Sequence, residues 1–361
     1  MSAVIGIDVG GTKVAATLLG PDGLGEHRQQ PTQLATTEAL IDQFVDLVGQ
    51  AAGGRSYDAV GIGVPSIVRF ATGEVAASTN VPLAGVALRK VLGERLGVPV
   101  YVDNDATVAA LAEAHDLDLN LVSRNLVMIT VGTGIGGGIV IDGRIFRGGS
   151  GGAGEIGMTL IGLAIGQDVP APGEHFPQPG SLESLSAGHA IDHAAAAAAA
   201  ANPASALGRL AASGQTVRGP DAVAAAREGD EVAARVVRCW AHALGVGIAN
   251  AINTFDPDEV VIGGGAIAAG DLLIDPARQI AAGYTHPGLR GRANVRFARW
   301  GATAGVVGAG LLASQELEAA LGRRPPAAPK DEAPVDPHPP AALKDEAPVD
   351  PHPTAALKDE A

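Results

Sequence analysis

The 361-residue sequence has one cysteine, two tryptophans and three tyrosines, and aromatic residues of all kinds make up only 3% of it. A single cysteine excludes an internal disulfide framework and any zinc or iron–sulfur centre built on several thiolates. Basic residues are also scarce. The 25 Lys and Arg against 39 Asp and Glu leave a formal net charge of −14, which argues against a nucleic-acid binder that works by neutralising phosphates. No basic, then apolar, leader of signal-peptide type opens the chain, which enters a strand-like run directly after Met1-Ser2-Ala3. The longest stretch of low polarity, around Ala194–Ala201, is too short to span a bilayer. The expectation is a cytoplasmic protein with no nucleic-acid and no membrane partner.

What is present is apolar residues, 47% of the chain, and 50 glycines. That is enough apolar material for a sizeable core, and the length favours about two domains. The glycines follow no triplet period, so they serve turns and close backbone approach. The C-terminus is a repeat, PPAAPKDEAPVDPH from Pro325 and PPAALKDEAPVDPH from Pro339. Proline and charge without apolar period predict a disordered tail over 323–361.

The body alternates strands and helices, which makes it α/β. Strands are predicted at Val4–Val9, Val14–Leu19, Ala59–Val64, Val98–Val102, Asn125–Val131 and Glu259–Ile262. Thr36 or Thr37 caps a helix whose apolar face carries Leu40, Ile41, Phe44, Val45 and Val48. Further helices are predicted over Val86–Leu96 and Asp105–Ala114, from Ala190, over Asp221–Asn253, and over Ala304–Leu321. Asp142-Gly143 closes a hairpin between Ile139–Ile141 and Arg144–Phe146. The break between the two halves falls near Leu117–Ser123.

Three glycine turns follow strands. Asp8-Val9-Gly10-Gly11-Thr12-Lys13 offers backbone N–H groups to phosphate oxygens, with the Thr12 hydroxyl and the Lys13 charge beside them. Asp8 at its strand end suits a magnesium ion held through water. This is not a Walker loop, because a strand follows where a helix is required. Gly132, Gly134 and Gly137 satisfy G-x-G-x-x-G, but a hairpin again replaces the helix of a dinucleotide fold, so a second phosphate turn fits better. Gly263-Gly264-Gly265 suits an adenine or ribose face, and packing glycines are the alternative. Asp105 stands at a helix start, where the N-terminus favours its ionised form. It reads either as an N-cap or as a base that accepts a hydroxyl proton during phosphoryl transfer.

The segments IGIDVGGTKVAATLL from Ile5, GIGVPSIV from Gly61, STNVP from Ser78, PVYVDNDATVAALAE from Pro99, TVGTGIGGGIVIDGRIFRGGSGGAGEIG from Thr130 and LESLSAG from Leu182 together resemble the ROK family, most closely its bacterial glucokinases. The resemblance runs from about Val4 to Leu321. It implies an actin-like ATPase (ribonuclease H-like) fold of two lobes, 1–118 and 119–302, with a helix over 303–322 returning to the first, and a homodimer. It further implies Asp105 as the base and Ser66, Asn80, Asn104, Glu155 and Glu183 at the sugar. Asp8, Gly10, Gly11, Thr12, Lys13, Thr133, Gly134, Gly136, Gly264 and Gly265 would face ATP and its Mg2+.

The sequence departs from the family at its zinc site. Met158 stands where a histidine is usual, and Glu174, Phe176 and Ser181 stand at the cysteine positions. Structural zinc needs a closed set of N or S ligands, so none is expected there. His175, His189 and His193 read as surface residues, and Pro170, Pro172, Pro177 and Pro179 stiffen the segment instead. Ser66 replaces a family glycine. The phosphate and base machinery is therefore kept while the sugar pocket is altered. The leading expectation is an ATP-dependent kinase acting on glucose. Another hexose or an N-acetylated amino sugar, or a catalytically weak sugar sensor, are the alternatives. A DNA-reading regulator is disfavoured because the chain starts at the first strand of the kinase core.

Overall fold

The computed structural model describes residues 2–78, 80–162 and 172–322. The expected tail and Pro170 lie outside the described residues. The first sheet runs in the order β3-β2-β1-β5-β8, with β4 beside β2. Its strands are β1 (Val4–Val9), β2 (Lys13–Gly20), β3 (Gly23–Leu24), β4 (Arg28–Pro31), β5 (Ala59–Val64) and β8 (Val100–Asn104). A separate hairpin pairs β6 (Ser66–Arg69) with β7 (Glu74–Ser78). The second sheet runs in the order β11-β10-β9-β12-β13, from β9 (Leu126–Val131), β10 (Ile135–Ile141), β11 (Arg144–Ile145), β12 (Glu259–Gly263) and β13 (Asn294–Phe297). The helices are α1 (Thr37–Ala52), α2 (Leu88–Leu96), α3 (Asp105–Glu113), α4 (Leu182–Ser186), α5 (Gly188–Ala201), α6 (Ala206–Ala212), α7 (Gly219–Arg227), α8 (Glu231–Phe255), α9 (Asp271–Tyr284) and α10 (Ala304–Ala320).

Local chemistry explains the elements that form as predicted. Thr36 Oγ1 accepts from the Ala39 N–H at 3.1 Å and starts α1. Leu40, Ile41, Phe44 and Val48 of that helix are buried against the first sheet. Asp142 and Gly143 take φ values of 51° and 74°, the left-handed pair that a tight two-residue hairpin turn needs. Other expectations are corrected. The strand expected over Val98–Val102 is shifted to Val100–Asn104, because pairing with β5 continues to Val64 and Asn104. The expected long helix Asp221–Asn253 is two helices. Gly229, at φ 89°, ends the first, and Asp230 caps the second by accepting from the Ala233 N–H at 2.9 Å. The second glycine loop is shorter than it reads. It turns between Gly132 and Gly134, and Gly136–Gly138 already pair with Thr130–Met128 in the sheet.

One core joins the two sheets. Val4, Ala15 and Leu19 of the first sheet and Leu126, Met128, Val140 and Val261 of the second share an apolar cluster with α3 and α10. α8 is long and apolar enough to cross a membrane, yet Val236, Trp240, Leu244 and Ile248 of that helix are buried in the core beneath the second sheet. A polar clamp adds to the join. Glu113, the last residue of α3, is 0% exposed, pairs with Arg296 Nη1 at 2.7 Å and accepts from the backbone N–H groups of Arg299 and Trp300. Arg296 also reaches Glu259 Oε2 at 2.7 Å.

Candidate active site

β1, β5 and β8 are parallel, and their carboxyl ends lie side by side. Ligands of open α/β sheets bind outside such ends. Asp8 is the last residue but one of β1, Ser66 follows β5 after Pro65, Asn104 ends β8 and Asp105 opens α3 directly after it. α3 starts close to the sheet because residue 63 is glycine. A Cβ there would come within 2.7 Å of Val108 Cγ2. The cap of α3 is Asn104, not Asp105. Asn104 Oδ1 accepts from the Thr107 N–H at 3.1 Å, and its Nδ2 donates to the Ser66 carbonyl at 3.4 Å. Asn104 is thus largely occupied in building the site, which leaves one side-chain N–H for a ligand. Asp105 is freed from capping.

Asp105 lies close enough to Asp8 and to Glu155 for their charges to act on one another, as do Glu155 and Glu183, and burial opposes the helix end in setting the proton affinity of Asp105. Burial pushes the Asp105 carboxyl above the ordinary carboxylate range, outweighing the N–H of Ala106 that donates to it at 2.8 Å. The helix N-terminus alone does not win. Glu155 is raised by partial desolvation first, then by the carboxylates of Glu183 and Asp105. Asp8 rises to about 6, through burial first and the Asp105 charge second, with Lys13 opposing both. Asn80 faces the first glycine loop, its Cβ 3.9 Å from where a Gly11 Cβ would stand. The Ser66 hydroxyl is buried without a hydrogen-bond partner.

The first two glycine turns are held from outside. Gly10 N–H closes on the Lys13 carbonyl at 2.8 Å, and Thr32 Oγ1 donates to the Gly10 carbonyl at 2.7 Å. Glu183 Oε2 accepts from the Ile135 N–H at 2.6 Å, so this carboxylate reaches the Gly134 turn as well as Glu155. Thr133 and Gly265 share a cavity of about 500 Å³ with Ile191, Asp192, Arg218 and Trp240. Gly264, at φ 80°, lies against the Val131 carbonyl at the cavity's edge, where any side chain would collide. His189 was not singled out for this place by sequence. It lines the same cavity, with Nδ1 2.7 Å from the Thr133 carbonyl. Only its position next to Gly188 at a helix start hinted at it. His193 is exposed, and no group of three His, Cys, Asp or Glu side chains is placed for a metal among the described residues.

The proton equilibrium of Asp8 has a measurable consequence. Its folded pKa of about 6 stands above the ordinary 3.8, so the folded state holds this proton more tightly than the unfolded chain does. The associated stability is full below about pH 4 and is lost as pH rises through 6. Above that, the buried charge costs roughly 2–3 kcal/mol. Asp8→Asn is expected to raise the unfolding free energy of the ligand-free protein by that order at pH 7.5, with the gain shrinking toward zero near pH 4. Urea unfolding at both pH values measures it, and an equal change at both would refute the assignment.

Two glycine turns, half-buried aspartates at the strand ends and a cavity of about 500 Å³ beside Thr133 sit on the actin-like ATPase fold of the sugar phosphotransferases that this chain resembles. The chain belongs to the ROK family, whose profile matches residues 4–316. It is 35% identical to the glucokinase of Streptomyces coelicolor over 87% of this chain and 98% of that one. It is 34% identical to the N-acetylmannosamine kinase of Escherichia coli O157:H7 over 86% and 98%. The crystal structure of a ROK family glucokinase from Streptomyces griseus in complex with glucose and AMPPNP matches with a TM-score of 0.68 at 32% identity, covering 87% of this chain and 99% of that one.

Proposed function

We propose that this protein is an ATP-dependent sugar kinase of the hexokinase type, which moves the γ-phosphoryl group of ATP to a hexose hydroxyl, glucose 6-OH first among candidates. The observation that carries the reading is Asp105. It is half-buried, freed from capping by Asn104, raised in proton affinity by desolvation, and within reach of the Glu155 charge. A base poised in this way takes the hydroxyl proton as the sugar oxygen bonds to the γ-phosphorus. The bond from that phosphorus to the β–γ bridging oxygen breaks, and the electron pair leaves with ADP. Asn80, Ser66, Glu155 and the free N–H of Asn104 would orient the sugar. The turns Gly10–Lys13 and Thr133–Gly136 would face the donor phosphates through the N–H groups other than those of Gly10 and Ile135, which the Lys13 carbonyl and Glu183 already take, and the 500 Å³ cavity would take the nucleoside.

Asp8 fits a magnesium ion carried in on those phosphates, because a buried carboxylate whose charge is disfavoured gains from a nearby cation. The ion would supply charge neutralisation across the phosphates. The lobes 1–118 and 119–302 with the returning helix 303–322, a cytoplasmic location and a homodimer belong to the same reading. Kinship at similar identity to a glucokinase and to an N-acetylmannosamine kinase keeps an N-acetylated amino sugar as the second candidate acceptor. Consumption of Mg-ATP with a panel of hexoses and amino sugars decides the acceptor. Turnover with one sugar names it. Sugar binding without turnover on any would replace the kinase by a sensor and point to Met158.

A further inference from the structure

The segment from β11 to Glu155 belongs to the half of the chain that carries the second sheet, yet it is fastened to the first. Arg147 Nε donates to Asp103 Oδ2 at 2.7 Å, and Nη2 lies 3.4 Å from Glu316 Oε1 on α10. The guanidinium stacks 3.4 Å from the centroid of the Phe70 ring, just past β6. Side-chain exposure is 21% for Arg147 and 4% for Asp103, so this pair is shielded from solvent and salt. The rest of the segment is pinned too. The Ala153 N–H donates to the Arg147 carbonyl at 3.2 Å, Gly151 lies directly on the Val68 carbonyl, and Gly154 lies against Gly137 of β10. A side chain at either glycine would lift the segment.

The other end of this link is the base. Asp103 Oδ1 accepts from the Asn104 N–H at 3.0 Å, and Asn104 caps the helix that opens on Asp105. One unbroken path therefore runs from Arg147 through Asp103 and Asn104 to Asp105, while eight residues further along the chain from Arg147 stands Glu155. We propose that Arg147 is a positioning residue, which registers the Glu155 segment against the strand that delivers Asp105 and so sets the sugar's distance to its base. This rests on the sugar-kinase reading above. Lysine cannot replace it, because it lacks both the planar stacking face and the fork that reaches two carboxylates. The donor turns Gly10–Lys13 and Thr133–Gly136 are outside the link, so nucleotide binding should not feel it.

The test uses the full chain with glucose and ADP as calorimetric probes and steady-state kinetics beside them. Misplacement of reacting groups by about 1 Å costs on the order of a hundredfold. Arg147→Lys is expected to weaken glucose binding and to lower kcat about ten- to a hundredfold, with ADP affinity within about twofold of the parent. Glu316→Gln, which loosens Arg147 without touching Asp103, should give a smaller change of the same kind. If Arg147→Lys does not fold, Glu316→Gln and Asp103→Asn carry the test with the same readouts. Unchanged glucose binding and kcat, or equal losses for glucose and ADP, would overturn the proposal. Asp105→Asn run in parallel separates the two readings. If it keeps full turnover, the base assignment fails, while the split between glucose and ADP affinity still tests Arg147.

Discussion

Asp105→Asn should lower kcat by a factor of 10² to 10⁴, the usual worth of a general base, while glucose and ADP affinities stay within a few-fold of the parent. Asparagine keeps the size and the contact with the Ala106 N–H but cannot take the hydroxyl proton. The burial that raises the proton affinity of Asp105 also gives the parent enzyme an acid limb. kcat/KM should fall as pH drops below the raised carboxyl value, because the protonated acid is no longer a base. The residual activity of Asp105→Asn should lack that limb. A variant that keeps more than a tenth of parental kcat would sink the assignment.

Glu113→Ala should destabilise the fold by about 3–5 kcal/mol, the cost of breaking a buried ion pair from one side. Glu113 is fully buried and answers Arg296 together with the N–H groups of Arg299 and Trp300. Alanine leaves all of these donors facing an apolar gap. Typical domains hold only about 5–15 kcal/mol in total, so a large share of the margin disappears. Glu113→Gln, which restores an acceptor without the charge, should recover part of the loss. Denaturant unfolding of the three proteins measures both effects. A loss under about 1 kcal/mol for alanine would mean that water replaces the carboxylate, contrary to its burial.

The contrast between these two residues shows what was legible in the sequence. Asp105 announces itself locally, by a strand, an Asn-Asp pair and a helix start, and the glycine turns announce themselves in the same way. Thr36 and the Asp142-Gly143 turn could be read for the same reason, since a cap and a tight turn are chemistry of adjacent residues. Glu113 and Arg147 could not be read. Their partners are 183 and 44 residues away, and nothing in a local pattern marks an arginine that stacks on a distant phenylalanine. The β6–β7 hairpin was missed because it is short and follows a proline, and although burial alternates over Ser66–Arg69 the residue types, Ser-Ile-Val-Arg, do not. Gly229-Asp230 did carry a stop and a cap, but the apolar period on either side concealed the break. The upward push that burial gives the Asp105 carboxyl was not legible because burial is a property of the assembled core, while the helix end is visible in sequence.

The core that α10 shares with β1 sets a timetable for the nascent chain. Gly6 of the first strand lies in backbone contact with Val306 and Gly310 of the last helix, and β9 pairs directly with β12, more than a hundred residues later. Neither sheet can complete its packing until nearly the whole body has left the ribosome. At roughly 5–20 residues per second that takes on the order of 15–60 seconds. Through that interval the face of β1 that carries Val4 and Gly6 waits uncovered, which makes this a chain whose yield in the cell depends on holding early strands apart until the late helix arrives.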